Sequence, residues 1–125
     1  MKKLAVAKEI KRRGYIEAYK AFKVENSILK FMFKAHEGTR IVPINRWLKA
    51  KQKVVSDGTG RQYRAGFHCF LDIEAVHRFV KQTKGKYLIV IVKVKGVRPK
   101  PNSTAKAWLA KELLIPHRQE IVYFY

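Results

Sequence analysis

The strongest constraint on this chain is the run Tyr63–Gly96, which reads as strand, helix, strand. Its last part, Lys86–Lys95, holds six consecutive apolar residues, Tyr87 to Val92, with Val94 following after Lys93. A run apolar on both faces belongs at the centre of a sheet, because a half-exposed strand would alternate. Its odd positions then change character, from Tyr87, Ile89 and Ile91 to Lys93 and Lys95. The strand therefore begins inside the core and leaves it with two ammonium groups on one face. Upstream, Asp72 suits an N-cap, Glu74 puts negative charge in the first turn, and Ile73, Val76, Phe79 and Val80 share a helical face. Gly85 offers the left-handed backbone that ends a helix. Tyr63–Phe70 is the aromatic-rich strand that feeds the helix, with Arg64, Gly66 and His68 on one face and Cys69 on the other.

The remaining elements follow from local pattern. Residues 1–14 form a basic N-terminal helix or arm, in which Leu4, Ala7 and Ile10 share one side and Lys2, Lys3, Lys8, Lys11, Arg12 and Arg13 point elsewhere, as a solvated surface helix or an arm that lies on phosphates. Tyr15–Val24 is a strand, Glu25–Ser27 a turn, and Ile28–Lys34 a returning strand, together a hairpin. Leu29, Phe31 and Phe33 share one face of the second strand, and Lys30, Met32 and Lys34 the other. Asn45 caps a short helix over residues 46–53, with Trp47 and Leu48 inward. Ser56–Gly60 is a flexible loop without the spacing of a phosphate-cradling glycine motif. Beyond Gly96 the residues to Thr104 form a basic loop stiffened by Pro99 and Pro101. Ala105–Leu114 has helix propensity, yet its end also reads as strand. The first half stays open, and Glu112–Ile115 is expected to be extended. Glu120–Tyr125 is a last strand. These elements predict one α+β domain over residues 15–125, with a central mixed or antiparallel sheet and two or three helices.

Charge narrows the partner. The chain of 125 residues carries a formal net charge of +19, and between Glu74 and Glu112 there is no carboxylate. That interval holds Arg78, Lys81, Lys84, Lys93, Lys95, Arg98 and Lys100 among its cations. One-sign charge at this density repels itself in the folded state, so a polyanionic partner is the direct explanation. With 47% hydrophobic residues the chain has enough apolar material for a core and is no disordered basic tail. These seven residues form the candidate nucleic-acid surface, with phosphate contacts dominating and little sequence specificity. RNA is favoured over DNA because exposed aromatics suit unstacked bases. The single cysteine, Cys69, rules out a disulfide framework and fits an intracellular, reducing setting. No Cys/His spacing suits a metal, no cofactor motif is present, and no apolar run approaches the length of a membrane span. The apolar stretch Leu4–Ala7 is too short for a signal peptide.

The second half resembles the ADP-ribosyltransferase fold. The similarity rests on Gly66-Phe67-His68-Cys69-Phe70, the short helix Ala75–Phe79, the apolar strand Tyr87–Val94, Glu112-Leu-Leu-Ile, and the terminal Ile121–Tyr125. The chain also looks like small uncharacterised phage proteins, through Trp47–Ala50 followed by Gly66–His68. The transferase resemblance implies a catalytic acid at Glu112, with Lys20 where the family has a dinucleotide-binding Arg or His, and His68 where it has Ser or Tyr. The two substitutions leave weak or absent transferase chemistry as the expectation, with a relative that modifies RNA ends as the other enzymatic alternative. The phage-like similarity implies an inhibitor of a host nucleic-acid machine as a further class. Independently of either, His68 is the histidine best placed in a strand to act as a general base on RNA, and the plainer alternative is a strand histidine with one hydrogen bond.

Overall fold

A computed structural model describes residues 8, 11–25, 28–31, 43–50, 54–56, 62–64, 66–83, 86–101, 105–118 and 121–124. Its strands are β1 (Ile16–Glu25), β2 (Ile28–Phe31), β3 (Trp47–Lys49), β4 (Val54–Ser56), β5 (Gln62–Arg64), β6 (Phe67–Cys69), β7 (Tyr87–Pro99), β8 (Trp108–Leu114) and β9 (Ile121–Phe124). One helix, Ile73–Lys81, lies between β6 and β7, and residues 11–13 are helical. The main sheet has seven strands in the order β2-β1-β7-β8-β3, with β6 also on β8 and β9 also on β7. All of its pairings are antiparallel, so the mixed alternative drops out. The domain is α+β but strand-rich.

The sheet curls into a half-barrel. β7 is long enough to pair with β1 through Tyr87–Val94 and with β8 through Lys93–Pro99. β6 adds to the far side of β8, and the next residue, Phe70, exchanges backbone hydrogen bonds of 2.7 and 2.8 Å with Tyr19 of β1. That bridge ties the end of the curl back to its beginning. Gly66 permits the close approach this needs, since a Cβ there would lie 3.0 Å from the Ala110 carbonyl oxygen.

The inner face of the curl holds the larger core. Ile16, Ala18 and Phe22 from β1 meet Leu88, Val90, Val92 and Val94 from β7, with Phe67 and Leu113 across from them. Each fully buried large side chain, such as Phe22 or Phe67, contributes about 1.5–3 kcal/mol. Among the described residues the outer face is covered in part. There the helix lays Ala75, Val76 and Val80 over Ala21, Tyr87 and Ile89, and the Phe79 ring stands 5.3 Å from that of Phe70. Asp72 caps the helix as expected, its Oδ1 accepting from the Glu74 N–H at 3.0 Å, a contact worth about 1 kcal/mol.

Several expectations are corrected. Residues 46–50 do not begin a helix capped by Asn45, and 51–53 lie outside the described residues. Asn45 has φ +60°, and Trp47–Lys49 is a strand on β8. The pairing is extended at both ends by Asn45 N–H to the Ile115 carbonyl at 2.7 Å and Ala50 N–H to that of Lys111 at 2.8 Å. The open edge of β8 supplies hydrogen bonds that outweigh a modest helix propensity. Leu48 is buried as expected, but Trp47, one residue away on a strand, turns outward. Tyr63–Phe70 is not one strand: Gln62–Arg64 pairs with β4 in a separate two-stranded sheet, and only Phe67–Cys69 joins the main sheet. The helix stops at Lys81 with Gln82 as a right-handed C-cap. Gly85 and Lys84 lie outside the described residues, as do residues 32–34 of the second hairpin strand, the turn residues Asn26 and Ser27, and 57–60 of the flexible loop. The loop expected after Gly96 begins later, because β7 runs on to Pro99 against β8. The segment from Trp108 is strand, which resolves the open half of Ala105–Leu114.

Candidate nucleic-acid interface

The helix leaves part of the outer sheet face uncovered, and β7 runs straight into that part. Tyr87 and Ile89 are buried under the helix, whereas Ile91, Lys93 and Lys95 are half-buried. Adjacent strands fill out the row. Trp47 on β3 opposes Leu114 on β8, which opposes Lys93 on β7, which opposes Glu17 on β1. At about 4.8 Å per strand this row is about 14 Å wide. A second row, Lys49–Glu112–Lys95, lies beside it.

Cations and rings interleave on this face. The Lys95 ammonium sits 4.1 Å from the Trp47 ring centroid, and that of Lys93 sits 4.8 Å from the Tyr15 centroid. The Arg13 guanidinium stands 5.1 Å from the same Tyr15 ring and donates to its hydroxyl at 3.3 Å. Two grooves flank Tyr15 and share Arg13 and Lys93. One, of about 220 Å³, runs between Tyr15 and Trp47 past Lys95 and Leu114. The other, of about 310 Å³, runs past Glu17, Ile91 and Arg118.

The expected cations fall into three places. Lys93 and Lys95 stand on the open face just described. Arg78 and Lys81 are exposed on the helix Ile73–Lys81, and neither groove is lined by a residue of that helix. Arg98 and Lys100 are half-buried at the far end of β7, where Arg98 and His68 flank Leu109 across the sheet. Gly96 keeps Arg98 on the face of Lys93 and Lys95, so the separation runs along the strand. At φ +61° it reverses the alternation of β7, so Val94 before it and Val97 after it both face the inner core. A side chain there would also meet the Lys111 Cβ at 2.9 Å.

The residues of the transferase resemblance part company as well. Lys20 points into the half-barrel, 7% exposed, and its Nζ donates to the His68 carbonyl at 2.5 Å. Burial lowers its pKa to about 8, with Cys69 acting weakly the other way. Burial also pushes the Cys69 thiol up to about 12, so it stays protonated at neutral pH. His68 is held down at about 4 by burial, then by the charges of Lys20 and Lys100. Its imidazole is neutral at pH 7 and too weak a base for efficient proton abstraction there. Glu112 opposes Lys95, on the face of the sheet opposite to Lys20. Lys20 therefore meets the backbone of His68, while Glu112 lies elsewhere.

Tyr15, Trp47 and Arg118 were not legible as site residues from the sequence, and Arg13 was legible only as part of the basic N-terminal arm. For Trp47 a signal existed: Trp-Leu-Lys alternates as a half-buried strand does, ring out, leucine in, lysine out. For Arg13 the signal was the basic arm, and for Tyr15 there was none, because its meeting with Lys93 depends on how β1 pairs with β7. No family model, no curated protein and no solved structure matches the chain. No helix among the described residues is long and apolar enough to cross a membrane.

Proposed function

We propose that this protein binds single-stranded nucleic acid, RNA ahead of DNA, on the open outer face of its half-barrel. The observation that carries the reading is the interleaving of Lys95 with Trp47 and of Lys93 and Arg13 with Tyr15 on one uncovered sheet face. An exposed cation–ring contact is worth about 0.5–1 kcal/mol. A base stacked on the same ring is worth about 1–3 kcal/mol. Exchange is therefore favourable: a base takes the ring, and the displaced ammonium turns to the adjoining phosphate. Both halves of the ligand are served by residues already side by side. A duplex offers no free base faces, so it competes only through its phosphates. Binding of this kind belongs inside cells, where such ligands are.

The transferase reading stands second. Lys20 reaches only the backbone carbonyl of His68, and Glu112 on the other sheet face leaves no point where the three side chains converge.

Fluorescence anisotropy with labelled single-stranded RNA, duplex DNA and heparin tests the first reading. If Arg13, Lys93, Lys95 and Arg118 each neutralise one phosphate, log K is expected to fall with log salt at a slope of about −3 on a single strand. Affinity indifferent to salt, or heparin bound as well as RNA of equal charge, sinks it.

A further inference from the structure

Glu17 is out of place on a face suited to phosphates. The chain has only nine carboxylates against 28 lysines and arginines, yet one of the nine lines the larger groove, exposed and opposite Lys93. A carboxylate there weakens phosphate binding, so its presence asks for a ligand part that donates hydrogen bonds. The rest of the groove describes that part. Tyr15 supplies a ring wall, Ile91 and Pro116 supply apolar surface, and Arg13, Lys93 and Arg118 bring positive charge around it. At about 310 Å³ the groove matches the lower end of small-ligand pockets, roughly 300 Å³. That is room for one planar base.

Resting on the nucleic-acid reading above, we infer that this groove is a base subsite selective for guanine, with Glu17 as its specificity-determining residue. An ionised carboxylate is an acceptor with two oxygens and no donor. Guanine alone among the four bases presents two adjacent donors, N1–H and the N2 amine, on its Watson–Crick edge. Adenine and cytosine place an acceptor beside their single amine, and uracil places carbonyls on both sides of its N3–H. Each of these turns a lone pair toward the carboxylate. In a duplex the guanine edge is already used, so the subsite reads single strands only. The same base stacks on Tyr15 while Lys93 and Arg13 take the flanking phosphates.

The test uses the full chain and four labelled hexaribonucleotides, UUUGUU, UUUAUU, UUUCUU and UUUUUU, at one fixed salt concentration. The wild type is expected to bind UUUGUU about tenfold more tightly than the other three, the size of one good two-point base contact. Glu17→Gln, which keeps the shape and loses the second acceptor, is expected to erase that preference while leaving UUUUUU bound equally or more tightly. Glu17 is exposed, so the variant is expected to fold, which circular dichroism checks. Equal binding of all four by the wild type overturns the inference, as does a preference that survives in Glu17→Gln. A carboxylate present only to pair with Lys93 across the strands gives the first of these results. In both cases salt-dependent binding of all four leaves the nucleic-acid reading in place. No binding to any of the four removes both.

Discussion

Lys20 and Lys93 sit on neighbouring antiparallel strands, and each ammonium lies near an aromatic ring. Lys20 is 5.8 Å from the Phe22 centroid and Lys93 is 4.8 Å from that of Tyr15. Their surroundings differ completely. Lys20 is enclosed in the half-barrel among Ala18, Phe22, Val90 and Cys69, and it donates to the His68 carbonyl. Lys93 opens onto two grooves. Inside, a lysine can only serve the fold, and desolvation lowers its pKa to about 8. Outside, the charge stays solvated and can be exchanged for a ligand. Which face of a strand a lysine occupies therefore decides whether it holds the protein together or binds something else.

The widest gap between the two is expected in stability. Lys20→Glu replaces a donor by an acceptor facing the His68 carbonyl in a closed interior, at a cost of about 4 kcal/mol. Lys93→Glu, which sets a second carboxylate opposite Glu17 on the open face, is expected to cost about 1 kcal/mol or less. Urea midpoints compare the two, and similar values would break the comparison. Lys20→Met, which drops the charge and keeps most of the volume, is expected to cost less than Lys20→Glu.

Titration sharpens the same contrast. His68 has its pKa lowered from 6.5 to about 4, so the unfolded chain takes up its proton first as pH falls. Stability from this group is complete above pH 6.5 and is lost toward pH 4, by up to roughly 3 kcal/mol. His68→Gln is expected to flatten that limb. Lys20, lowered from 10.5 to about 8, makes stability rise with pH above 8, because the unfolded chain then holds more protons. Cys69, raised from 9.0 to about 12, acts in the opposite direction above pH 9. Net stability is therefore expected to climb by about 1 kcal/mol between pH 8 and 9, level off, and fall again above 10.5. Denaturation at a series of pH values checks the profile, and a flat line from pH 8 to 9 would mean that Lys20 is not enclosed.

On the open face the measured quantity is affinity. Trp47→Ala is expected to weaken single-stranded RNA binding by about tenfold or more. Trp108→Phe, at a ring packed against the inner core, is expected to leave it unchanged. Quenching of Trp47 fluorescence during titration gives an independent reading. Equal losses in the two variants would place the ligand elsewhere.

The smallest effect is expected on the helix. Reversing Arg78 and Lys81 to Glu changes net charge as much as reversing Lys93 and Lys95, yet these helix cations line neither groove. Affinity is expected to drop only a few-fold, against a much larger loss for the strand pair. A larger loss from the helix would show that total charge, and not the ringed face, governs binding.

Much of this fold is legible locally. The run Tyr87–Val94 announces a central strand by its composition, and its change to Lys93 and Lys95 announces where the helix ceases to cover it. Asp72 with the Ile73–Val80 pattern announces the helix, and Tyr15–Val24 announces β1. These elements carry their signal within one or two turns of chain, through side-chain period and capping chemistry.

What the local pattern leaves undecided is whatever depends on a distant partner. Trp47–Lys49 becomes a strand because β8 presents an edge, and Trp108–Ala110 because β7 runs on to meet it. Lys20 is a core residue because Tyr19 and Phe70 close the curl beside it. Trp47 and Tyr15 reach Lys95 and Lys93 only through registers across β1, β3, β7 and β8. By itself the sequence determined a basic α+β domain with a central apolar strand whose end carries two lysines on one face. The tertiary structure decided which lysine is enclosed and which aromatics stand beside the others, because strand pairing joins residues far apart in the chain, and no local period encodes the partner.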